Sequence, residues 1–115
     1  MSMTSDLAFL FSRDLTRLSK QIEAFPNDET LWEKLPGVIN PAGNLALHIE
    51  GNLREFVGRQ LGQLPYKRNR ELEFSLRGMS RLELGARVAE LRESIPAVIR
   101  SFGGANGDGI PGSGA

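Results

Sequence analysis

The sequence predicts an all-α protein, and three observations carry that expectation. Three segments repeat large apolar residues at intervals of three and four, the spacing of one helix face. Two of them open on helix-start signatures, Asn40-Pro41 and Ser80-Arg81-Leu82-Glu83. Turn formers separate them, at Phe25-Pro26-Asn27-Asp28, at Pro36-Gly37 and from Pro65 to Gly78.

In the first segment Leu7, Leu10, Phe11, Leu15, Leu18, Ile22 and Phe25 share a face, with Ser5 as cap and Asp6 in the first turn. A helix over about residues 5–24 follows. Residues 28–40 hold Leu31, Trp32, Leu35, Val38 and Ile39, too few and too broken for a long element, so a packed loop with one short turn is expected. The second helix is expected over 41–64, with Asn40 as N-cap and Pro41 at the first helical position, where its missing donor is harmless. Its predicted core stripe is Leu45, Ile49, Leu53, Phe56, Gln60 and Leu64, bordered by a polar strip of His48, Asn52, Glu55 and Arg59.

A short segment over 71–76 leads to the third long helix. Ser80 and Glu83 form a capping box, Met79 and Leu84 a hydrophobic staple. Leu84, Val88, Leu91, Ile95, Val98 and Phe102 continue the seam over 80–102, with a kink expected at Pro96. The glycine-rich residues 103–115 read as a disordered tail; Asn106-Gly107-Asp108-Gly109 begins like a calcium loop but has no later bidentate glutamate. Residues 1–102 therefore form one domain, which suits a chain of 115 residues.

Lys and Arg number 14 against 14 Asp and Glu, so no net field draws the chain to nucleic acid or to an anionic membrane. No stretch approaches the roughly 20 apolar residues of a span. The N-terminus lacks a basic-then-apolar leader, and the expected compartment is cytoplasmic. With no cysteine, disulfide and thiolate chemistry are excluded, and any site must be built from the single histidine, His48, with carboxylates and amides.

An imidazole suits zinc or nickel, and Asn52 and Glu55, one and two turns on, are placed to orient the ring or complete a weak site. The alternative is a histidine at the edge of a core, donating one hydrogen bond. His48 is expected to face the bundle interior or its open end. Glu50, Glu55, Glu71 and Glu73 offer acid–base pairs, but their spacings equally fit solvated faces partnered by Arg54, Arg59 and Arg70. The Tyr66-Lys67-Arg68-Asn69-Arg70 cluster reads either as a grip for an anionic ligand or as a solvated turn.

Trp32 before the second helix, Asn40-Pro41 opening it, Leu45-x-x-His48 within it, then Gly62 and Arg70-x-x-Glu73-Phe74, occur in an order that resembles the DinB-like family. The resemblance spans about residues 5–102. It implies an up-and-down four-helix bundle, commonly a homodimer, in which three histidines bind a divalent metal for a transferase, isomerase or hydrolase reaction on a small molecule, often thiol-dependent. Only His48 carries over as a ligand; Arg70, Glu73 and Phe74 match a pattern taken as structural. The chain departs from that family in having three long helices, no helical fourth segment after Phe102 and no further histidine. That leaves a truncated or divergent member, or one whose missing helix comes from a partner. The competing expectation is a non-catalytic helical module that self-associates or binds a partner, through an apolar groove along Leu84, Val88, Leu91 and Ile95 or along the first helix.

Overall fold

The fold is that of a computed structural model, described for residues 3–103. Every regular element among these residues is helical. Helix α1 spans Met3–Glu23 and a single 3₁₀ turn spans Glu29–Trp32. Helix α2 spans Ala42–Leu53 and continues into a π-helical stretch over Arg54–Arg59. The six-residue α3 spans Arg70–Ser75, and α4 spans Arg81–Gly103. The glycine-rich tail and its calcium-like stretch lie outside the described residues.

Helix α4 is the centre of the packing. Its seam of Leu84, Val88, Leu91 and Ile95 is fully buried, so the apolar groove expected along it is closed. Helix α1 lies along α4 and contributes Ala8, Leu15 and Ile22 to the shared core, while α2 and its π-helical extension meet α4 on another side. Pro96 is fully buried inside α4, and the helix is continuous through it. Ser80 caps α4 as expected, accepting from the Glu83 amide at 3.0 Å, with Met79 and Leu84 both buried. Asp28 is a second cap: its Oδ1 accepts from the Arg81 amide at 2.9 Å and from Arg81 Nε at 3.1 Å, and the same guanidinium reaches the Phe25 carbonyl. The end of α1 is thereby tied to the start of α4.

Helix α2 corrects the sequence reading in two respects. Asn40 makes no cap; Pro41 occupies the N-cap position with extended backbone (ψ 157°), its ring fully buried and its carbonyl accepting from the Leu45 amide at 3.2 Å. Most of the predicted core stripe also faces outward, since Leu45, Ile49, Phe56 and Leu64 are 39–51 % exposed and Gln60 is exposed, while Leu53 alone of the stripe is half-buried against the core. The buried face is instead Gly43, Asn44, Ala46, Leu47, Glu50 and Gly51. Close approach explains this orientation. A Cβ at Gly43 would lie 2.7 Å from the Trp32 ring, one at Gly51 would overlap the Glu73 carboxylate, and one at Gly62 would lie 2.7 Å from Val98. The face that admits neighbours most closely, with polar groups that find partners there, is the one buried.

The π-helical stretch shifts the register of the chain: Gln60 donates to the Glu55 carbonyl at 3.0 Å and Gly62 to that of Val57 at 2.9 Å. A turn follows Arg59, and Gln63, with a φ of 56°, leads the chain into the irregular segment before α3. No helix among the described residues is long and apolar enough to cross a membrane.

Candidate functional site

The short α3 is held in place by its two ends. At its start Asn69 accepts from the Leu72 amide at 3.0 Å. At its end the fully buried Asn44 of α2 donates to the carbonyls of Glu73 and Leu76, both at 3.0 Å. Arg77 Nη1 donates to Asn44 Oδ1 at 2.8 Å and to the Phe74 and Leu76 carbonyls, so the carbonyls of Glu73, Phe74 and Leu76 at the end of α3 are paired. Glu73 and Phe74 are in this way fixed over α2, one turn and more from its start.

There they meet His48. Nδ1 of His48 lies 3.1 Å from Glu73 Oε1, and the imidazole is tilted 38° against the Phe74 ring, centroids 5.0 Å apart. One turn on, Asn52 Nδ2 lies 3.3 Å from His48 Nε2. Arg68, in the irregular segment before α3, closes the cluster. Its Nε donates to Glu73 Oε2 at 2.8 Å, and its Nη2 to Glu73 Oε1 at 3.0 Å and to Asn52 Oδ1 at 2.8 Å. This is a two-pronged guanidinium–carboxylate pair. It is largely buried, with 10 % of the Arg68 side chain and 6 % of that of Glu73 exposed, against 29 % for His48. Gly51 supplies the space in which the carboxylate rests on α2.

Burial by itself would raise the carboxyl pKa of Glu73, but the hydrogen bonds from Arg68 and His48, with their charges, outweigh it and leave Glu73 below the ordinary carboxylate value. Glu73 is thus an ionised, acceptor-only group beneath the imidazole.

The structure sorts the residues singled out in the sequence accordingly. His48 and Asn52 belong to the cluster. Glu55 turns to Arg59 and Gln60, whose hydrogen bonds pull its pKa to about 2. Glu50 is buried beside Arg54, at 2.7 Å, and Arg87, at 3.5 Å, so the glutamates do not pair with one another. Arg68 points inward to Glu73 while Lys67 and Arg70 are exposed, which disperses the cations that the grip reading of the cluster required. Glu73, weighed in the sequence as an acid–base partner, a solvated charge or a structural residue, and Arg68, weighed within an anion grip or a solvated turn, were not connected there to His48. The one available signal was their spacing of five residues, opposite in charge, on a segment of unknown path.

A groove of about 460 Å³ runs between α1 and α2, lined by Phe11, Leu15, Leu18, Ile49 and Leu53, and Asn52 forms part of its wall. A wider hollow of about 600 Å³ between α1 and α4 contains none of the cluster residues. Among the described residues no three His, Cys, Asp or Glu side chains converge in a geometry that holds a metal ion. Comparison with protein families, curated proteins and solved structures found no match.

Proposed function

We propose that the chain is a DinB-like helical bundle protein in which His48 is one ligand of a divalent-metal site, for zinc or nickel, serving a transferase or hydrolase reaction on a small molecule. The supporting observation is the way His48 is held. Metal-binding imidazoles characteristically rest one ring nitrogen on a carboxylate and offer the other to the ion. His48 rests Nδ1 on the buried Glu73, and among the described residues its Nε2 meets only the Asn52 amide.

The fit is that of one ligand with its support, not of a closed set. The other ligands have to come from outside residues 3–103 or from a second chain. Bound, the ion would supply Lewis-acid activation of a thiol or a water. The part played by this chain is to fix the ring: Glu73 orients it, Arg68 keeps that carboxylate ionised, and Phe74 limits its tilt. Titration of the purified protein with nickel or zinc tests the reading. His48→Ala should abolish the tightest binding; unchanged affinity would refute it.

A second reading, a non-catalytic module that forms a homodimer, draws support from the groove between α1 and α2. Ile49 lines it at 39 % exposure, and Leu7 and Leu10 of α1, Leu45 of α2 and Phe56 of the π-helical stretch are 39–51 % exposed on the elements that form it or continue them. Neighbouring apolar side chains left this open are typical of surfaces that bind another protein.

A further inference from the structure

We propose that Glu73, clamped by Arg68, is the positioning residue that sets the tautomer of His48, keeping the proton on Nδ1 and the lone pair on Nε2. The assignment follows from which groups can only donate and which can only accept. A guanidinium has donors and no acceptor. Arg68 Nη2 lies 2.8 Å from the Asn52 amide, so the atom facing it is the amide oxygen, and the NH₂ group faces His48. An amide NH₂ is a donor, so His48 Nε2, 3.3 Å away, accepts. On the other side of the ring the ionised Glu73 carboxylate accepts only, so Nδ1 at 3.1 Å donates.

Each end of the network demands the same tautomer. The alternative would set an Nε2 hydrogen against the amide hydrogens and the Nδ1 lone pair against a carboxylate. Arg68 Nη2 also lies 3.5 Å from Nδ1, because both donors converge on Oε1 of Glu73.

The arrangement is built rather than incidental to the surface. Glu73 is nearly buried, Arg68 holds both its oxygens, Asn44 and Arg77 pin the short helix that carries it, and only a glycine at position 51 leaves room for it. In free histidine the Nε2–H form predominates, so the cluster reverses the intrinsic preference. The purpose of the tautomer rests on the ligand reading of His48, since it leaves Nε2 as the nitrogen open to a cation; the tautomer itself does not depend on that reading.

Long-range ¹H–¹⁵N correlation spectra of the His48 ring, recorded where the ring is neutral, decide. The native protein should show Nδ1 protonated and Nε2 bare. Glu73→Gln should shift the population toward Nε2–H, because a glutamine can donate to Nδ1. Asn52→Ala, which removes the amide and spares the carboxylate, should keep Nδ1–H. An Nε2–H ring in the native protein overturns the proposal whether or not Glu73→Gln folds, and so does an unshifted tautomer in folded Glu73→Gln or a switched one in Asn52→Ala. Nickel titration of the same samples separates the two readings: Glu73→Gln should bind about ten- to a hundredfold more weakly. Absence of nickel binding in a native protein that carries the Nδ1–H ring would refute the ligand reading and leave the positioning role of Glu73 standing.

Discussion

Glu73 and Arg68 are a buried ion pair, and such pairs are costly to break because the surviving charge is left without water or partner. Glu73→Ala should therefore destabilise the fold by about 3 kcal/mol in denaturant titration. The depressed carboxyl pKa also carries a pH dependence of definite sign. The stabilisation is complete above the ordinary glutamate value of 4.5 and is lost as pH falls through the lower value of the folded state. Native protein should lose stability from about pH 4.5 downward, and the Arg68→Met, Glu73→Leu double variant should lose measurably less over that window. Parallel acid limbs in the two proteins would show that the pair does not contribute. Ser19 is the opposite case: its hydroxyl is buried in α1 with no hydrogen-bond partner among the described residues. Ser19→Ala removes an unsatisfied polar group and should stabilise the protein by about 1 kcal/mol.

Among the elements, α4 depends on its start more than a helix of its length ordinarily would, because two side chains from different parts of the chain cap it. Ser80→Ala should cost about 1 kcal/mol through the lost cap, read from the denaturation midpoint at unchanged slope. Asp28→Ala removes the tie to the end of α1 as well as a cap, and should lower the melting temperature with the α1 amides exchanging earlier than those of α4. The sequence pattern around Ser80 announced the first cap, since all its parts lie within a few residues. Asp28 is 53 residues from its partner, and nothing local marks it. The π-helical stretch of α2 is similarly silent in the sequence: Arg54 to Arg59 contains no proline, and its register follows from what it packs on.

For the whole molecule the exposed apolar surface bears on assembly. With the α4 seam closed, α1 and α2 still carry exposed apolar side chains, Leu7, Phe9 and Leu10 on the first and Leu45 and Ile49 on the second. The self-association reading predicts a dimer by sedimentation equilibrium over a hundredfold range of concentration, with a melting temperature that rises as assembly is favoured. Leu10→Glu combined with Ile49→Glu should give a monomer of undiminished helicity, because neither side chain is buried in the core. A native monomer with a concentration-independent melting temperature would remove the support for this reading.

The sequence by itself determined that the protein is helical, where α1 and α4 lie and where α2 begins to within a few residues, though not where α2 ends, and which seam of α4 is core. Those are consequences of periodicity, capping and proline placement, and they act over a few turns of chain. It also placed His48 beside Asn52, because a helix sets residues four apart on one face. The tertiary structure alone decided which face of α2 is buried. Counting apolar residues favours Leu45, Ile49 and Phe56, but Gly43, Asn44 and Gly51 allow Trp32 and Glu73 to approach the helix directly, and Asn44 finds three partners there. Close contact with satisfied polar groups outweighed a stripe of larger side chains. That choice also made the site, since it brought a carboxylate 25 residues away in sequence under the imidazole and turned Arg68 from the surface to hold it.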